Sequence, residues 1–221
     1  MTANARDAAA EMTAASGKGD VQVRVEWHDV PIQARSSPGR TPCGTARAPA
    51  VTPTTTWALP DAFVAIEAPG APPPPAARVV LDQCAFAPRA VVAGATLAVT
   101  TTADHPVELA ITSRDLLGAS PAATRKIEIP IAGHEVDVAL TSGIYELSAA
   151  DTDSAWIAFA PKAFAAMTDA TGQAVLRDVP AGRHRVTALV PPRAGQPDRV
   201  AEGEVEVVAG ALAEVTLDVS K

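Results

Sequence analysis

Apolar and polar side chains alternate with a period of two along Val21-Gln-Val-Arg-Val-Glu-Trp27, the pattern of a strand with one buried face. The same alternation returns at Arg125-Lys-Ile-Glu-Ile-Pro-Ile131 and at Glu135-Val-Asp-Val-Ala-Leu140. Short apolar runs bounded by Gly, Pro or polar clusters predict further strands at Ala62–Ile66, Arg78–Cys84, Ala90–Val92, Thr96–Thr101, Val107–Thr112, Ile144–Leu147 and Ala155–Phe159. After Pro161 come Gln173–Val179 and His184–Val190, then a closing hairpin of Val200–Val208 and Ala213–Val219 around Gly210. Between them, Ser36–Thr56 reads as a long loop around Cys43, Arg114–Ala123 as a Gly/Pro-punctuated excursion, and Ser148–Ser154 as a polar loop. About fourteen short strands with turns every roughly 8–12 residues predict an all-β chain built of β-sandwiches.

Composition agrees with strands and limits the rest. The 221 residues suffice for one large or two small domains, each with a real core. Hydrophobic residues make up 48% but aromatics only 4%, so the cores are built mostly of Ala and Val, which suits strands. Twenty prolines and 14 glycines favour turns over long helices. Pro69–Pro75, with its run of prolines, reads as a stiff linker and a module boundary. A formal net charge of −7 without a basic run makes a poor partner for nucleic acid or a membrane surface. No apolar stretch reaches the ~18–20 residues of a membrane span. Residues 1–20 have no apolar core of a signal peptide as written and read as a flexible tail.

Candidate chemistry is sparse. Cys43 and Cys84 lack CxxC spacing, which argues against zinc or thioredoxin-type chemistry and leaves one long-range disulfide or two buried thiols. His28, His134 and His184 are far apart in sequence. Asp151 and Asp153 share a polar loop with Thr152 and Ser154, and Ser113-Arg-Asp115 has no nucleophile-elbow context. No phosphate-binding Gly-rich loop is present. No enzymatic activity and no cofactor are expected. Tyr145, Trp27 and Trp156 read as core or rim anchors, whereas Trp57, in a polar loop, is a candidate interface residue. Arg183 and Arg185 around His184 read as the exposed face of a strand.

Three ordered sets of residues carry a resemblance. The first is Cys43-Gly44, Ala62-Phe-Val-Ala-Ile-Glu67 and Leu81-Asp-Gln-Cys84-Ala-Phe86-Ala-Pro88. The second is Gly94-Ala-Thr-Leu-Ala-Val99 with Asp104-His105-Pro-Val107. The third is Gly143-Ile-Tyr145, Trp156-Ile-Ala-Phe159, Phe164-Ala-Ala-Met-Thr-Asp169-Ala-Thr-Gly172 and Asp178-Val-Pro-Ala-Gly182. Together these resemble bacterial plastocyanin-like proteins of the methylamine-utilisation type, cupredoxins with a carboxypeptidase-regulatory-like module. The resemblance implies a cupredoxin-like sandwich, residues 76–160, inserted into an Ig/transthyretin-like one formed by residues 21–67 with 161–221. It also implies a Cys43–Cys84 disulfide and hence an oxidising, periplasmic or extracellular location.

A blue-copper site needs two His nitrogens and a Cys thiolate with a weak axial ligand. Counting back from Trp156, the family's Cys, His and Met positions hold Leu147, Ala150 and Asp153, and only His105 stands near a ligand position. No metal is therefore expected there. The expected function is that of a structural or interaction protein of the cell envelope or an extracellular assembly, with other protein subunits as partners in a homo- or hetero-oligomer. The alternative is a periplasmic metal-binding or electron-transfer protein with a non-standard copper site at His105 plus another histidine.

Overall fold

The computed structural model describes residues 17–35, 39–40, 43–44, 57–114, 123–150, 152–192 and 196–220. Much of the long loop around Cys43, most of the excursion after Arg114, and Asp151 lie outside the described residues. The described chain is all-β. Its strands are β1 (Lys18–Glu26), β2 (Phe63–Glu67), β3 (Ala77–Asp82), β4 (Ala85–Ala87), β5 (Ala90–Val92), β6 (Thr96–Thr101), β7 (Val107–Arg114) and β8 (Thr124–Ile129). They continue as β9 (Val136–Ala139), β10 (Gly143–Ala149), β11 (Ala155–Phe159), β12 (Ala163–Met167), β13 (Gln173–Pro180), β14 (Gly182–Val190), β15 (Arg199–Val207) and β16 (Leu212–Asp218). Among the described residues one 3-10 turn is present, Ile32–Arg35.

Four sheets result: β13-β1-β16 (sheet I), β12-β2-β14-β15 (sheet II), β5-β11-β10-β7-β8 (sheet III) and β4-β3-β6-β9 (sheet IV). β1 lies between β13, antiparallel, and β16, parallel, with Val23 opposite Ala174 and Val215. β2 lies between β12 and β14. Both N-terminal strands are thus central strands of sheets whose other members come from the last third of the chain. Each would otherwise be an unpaired strand with no partner to satisfy its backbone.

The alternation of side chains across each strand then builds three apolar layers. Val21, Val23 and Val25 of sheet I meet Val64, Ile66, Val186 and Ala188 of sheet II. Val79, Leu97 and Val99 of sheet IV meet Leu109, Ile111, Leu147 and Ile157 of sheet III. The opposite faces of sheets II and III also meet: Phe63 and Leu189 pack with Val92, Trp156 and Ala158. On β11, Ile157 therefore looks into one layer and Trp156 and Ala158 into the next. The molecule is a stack of four sheets in the order I, II, III, IV, in which II and III are covered on both sides. The run Ala155–Ala158 is buried at every position, as a doubly covered strand requires.

Several boundaries differ from the sequence reading. β1 begins at Lys18, inside the stretch read as tail. The strand read as Arg78–Cys84 ends at Asp82, because Gln83 adopts φ 53° and turns the chain back into β4, setting Leu81 opposite Phe86. β12, Ala-Phe-Ala-Ala-Met, has no β-branched residue and gives no strand signal. Pairing with β2 over Glu67↔Ala163 to Phe63↔Met167 makes it one.

Candidate functional site

His105 sits on the β6–β7 loop, at one end of sheets III and IV. Buried Thr101 at the end of β6 fixes that loop: its hydroxyl donates to the Leu81 carbonyl (3.2 Å) and accepts the Ala103 N–H (3.1 Å). Thr102 adds a second tie, its N–H reaching the Leu81 carbonyl (3.0 Å) and its hydroxyl Asp82 (2.7 Å). Beside the loop lies a groove of about 910 Å³ lined by Gln83, the Asp104–Glu108 segment, Ala110, Ser148, Ala149, Ala150 and Thr152, with Cys43 and Cys84 at its wall. Cys43 and Cys84 form a disulfide, with Cα atoms 6.0 Å apart across a separation of 41 residues. That answers the question the sequence left open between a disulfide and two thiols.

Within the groove, His105 Nδ1 lies 3.2 Å from Asp104 Oδ1. That hydrogen bond holds the Asp104 carboxyl below the usual carboxylate range. Both side chains are well exposed. The other positions at which the resemblance puts ligands do not assemble around the imidazole. Leu147 is fully buried in the layer between sheets III and IV. Ala150 lines the groove but has no donor atom. Asp153 lies in the β10–β11 loop and is half-buried. Both cysteines are consumed in the disulfide, so no thiolate is available. The donor set does not fit a type 1 copper ion.

The remaining histidines lie apart. His28 Nε2 is 2.7 Å from Glu26 Oε2, and His184 Nε2 is 2.7 Å from the Pro180 carbonyl. His134 closes the β8–β9 turn through its N–H to the Ile131 carbonyl. Among the described residues, no three His, Cys, Asp or Glu side chains are grouped to hold a metal ion. Ser113 Oγ accepts the Ala123 N–H at 3.0 Å, which gives it a structural task at the start of β8. Arg183 and Arg185 pair outward with Glu204 and Glu202 across the β14–β15 ladder.

The aromatic residues divide by burial. Trp27 and Trp156 are in the core. Trp27 Nε1 donates to Asp29 (2.7 Å), and its ring carries the Arg199 guanidinium at 4.1 Å from the centroid. Tyr145 is buried with its hydroxyl donating to the Thr141 carbonyl (2.7 Å) and accepting the Thr141 N–H (2.9 Å). Trp57 is 42% exposed and adopts φ 58°. Its ring lies under the Arg35 guanidinium at 5.2 Å and against His28 at 6.0 Å between centroids. The hydrogen bond that the His28 ring donates to the Glu26 carboxylate raises the imidazole above its ordinary value, with Asp218 and Asp29 adding to it. The sequence pointed to Trp57 from its polar surroundings alone. It gave no signal for Arg35 or His28; the Trp27 N–H to Trp57 carbonyl bond (3.0 Å) and the Glu26↔Ala58 bridge hold the Trp57 segment beside the end of β1.

No helix among the described residues is long and apolar enough to cross a membrane. Comparison of the chain with family models, with curated proteins and with solved structures gives no match.

Proposed function

We propose that this chain is a non-catalytic scaffold of the cell envelope or of an extracellular assembly, whose task is to join other protein subunits. The observation that carries the reading is the groove beside His105. It occupies the end of the sandwich where the resemblance puts a copper centre, yet Leu147 and Ala150 supply no ligand and both sulfurs are in a disulfide. The exposed Trp57, under the Arg35 guanidinium and beside the tilted His28 ring, supports an interaction role, since Trp and Arg are the residue types that anchor interfaces. A disulfide supports an oxidising compartment, periplasmic or extracellular. The cupredoxin and regulatory-like identities of the two halves belong to the same proposal and rest on the ordered motifs.

The second reading, a non-standard copper site, rests on His105 and Asp104 lining the groove together. One imidazole with one carboxylate in water is a weak site for Cu(II). Calorimetric titration of the oxidised full chain with Cu(II) separates the two. The scaffold reading predicts no tight stoichiometric heat and no intense absorption band at about 600 nm, the mark of a copper–thiolate bond. Tight one-to-one binding abolished by His105→Ala would favour the metal reading.

A further inference from the structure

The edges of the four sheets are not equally protected. Sheets I and II run close together at both sides, where β15 neighbours β16 and β12 neighbours β13. β8, by contrast, ends sheet III, and among the described residues β7 is its only strand neighbour. The Ser113 N–H donates to the Ala123 carbonyl (2.9 Å), directly before the ladder position Thr112↔Thr124. Alternation along an antiparallel strand then turns the N–H and C=O groups of Arg125, Ile127 and Ile129 toward β7, and those of Thr124, Lys126 and Glu128 outward. Among the described residues no backbone partner meets these outward groups. Such a row is a template for another strand.

The side chains select the partner. On the face of sheet III turned away from sheet IV, at its exposed β7–β8 end, Glu108 stands opposite Glu128 in the ladder. Lys126 pairs diagonally with Glu108 (2.7 Å), which leaves Glu128 without an ion pair among the described residues. We propose that β8 pairs antiparallel with β8 of a second copy of this chain, about a two-fold axis through Ile127. Only outward-facing residues can exchange backbone hydrogen bonds, so the shared register must match even-numbered positions. Centring on Lys126 sets Lys opposite Lys, and centring on Glu128 sets Glu opposite Glu. Centring on Ile127 sets Lys126 opposite Glu128 twice, each pair closing its own two backbone bonds. It also brings the half-buried Ile127 against its copy on the inner face. Pro130, which has no N–H, ends the pairing. Uniform lysines would make the edge repel itself, whereas the order Lys-Ile-Glu is self-complementary. The inference goes beyond the scaffold reading, because it holds whether or not the groove beside His105 takes a metal.

Sedimentation equilibrium of the oxidised full chain at physiological salt, from micromolar to millimolar concentration, tests it. The expected result is a reversible monomer–dimer equilibrium. Lys126→Glu and Glu128→Lys, each placing like charges opposite one another twice, should weaken the dimer about tenfold or more. The combined swap Lys126→Glu/Glu128→Lys should restore it. Lys126→Pro removes an outward N–H that the monomer does not use, so it should abolish the dimer and leave the circular dichroism spectrum unchanged. A wild-type chain that stays monomeric throughout the range, a dimer indifferent to Lys126→Pro, or a swap that fails to restore association would overturn the proposal.

Discussion

Thr168 shows how one hydroxyl can close a fold whose ends come from opposite ends of the chain. It is 2% exposed. Its Oγ1 donates to the Leu59 carbonyl and accepts the Ala62 N–H, both at 2.8 Å. Its own N–H reaches the Ala62 carbonyl at 2.9 Å, and its carbonyl takes the Asp61 N–H at 3.0 Å. The side chain thus satisfies backbone groups of the turn before β2, more than a hundred residues away in sequence. Asp169 next to it holds the following turn, and hydrogen bonds from the Thr171 hydroxyl and then the Gln173 and Thr171 amides keep its carboxyl below the usual range. Replacing Thr168 by Val keeps the volume but strands a buried N–H and C=O. A loss of about 1–3 kcal/mol is expected, measured by denaturant unfolding, with Thr168→Ser close to wild type. Equal stability of Thr168→Val and wild type would show that the hydroxyl carries none of this. Residues of this kind were illegible in the sequence, where Thr168 is one threonine among many. The exposure of Trp57 was legible only because a tryptophan in a polar loop is unusual.

At the scale of elements, alternation was the reliable signal. β1, β8 and β9 are the strands the alternation marked, and each buries one face, as a period of two requires. β4 and β12 were not legible. β4 has three residues and follows a positive-φ glutamine, and β12 owes its state to pairing rather than to propensity. The disulfide was legible only through the resemblance, because spacing alone left free thiols open. The partnership of the N-terminal strands was legible through the resemblance, and it has a physical ground, since two strands with no partner must find a sheet. That gives a fragment prediction. β1 and β2 are central in sheets I and II, so residues 161–221 alone should be unfolded or aggregated. Linking residues 20–70 to them should restore strand signal in circular dichroism. A fragment 161–221 that unfolds cooperatively as a monomer would contradict the pairing.

Across the whole molecule, the layer between sheets II and III decides whether the chain behaves as two bodies or one. Phe63, Leu189, Val92, Trp156 and Ala158 are each buried to 9% exposure or less. Half-buried Ala165, Met167, Ile144 and Val200 pack around them. Separating the halves would expose this apolar surface on both, a cost that couples their unfolding. The tie between Gly94 N–H and the Pro75 carbonyl (2.8 Å) fixes the end of the proline linker against the inserted half. A scaffold that presents surfaces at a fixed spacing needs such a joint, and the central claim is that the four sheets form one cooperative unit. Differential scanning calorimetry of the oxidised full chain at a concentration where it is monomeric tests this most directly. The account predicts a single transition whose calorimetric and van't Hoff enthalpies agree, splitting in two when Trp156 is replaced by Ala. Two separate transitions in the wild-type chain would contradict it.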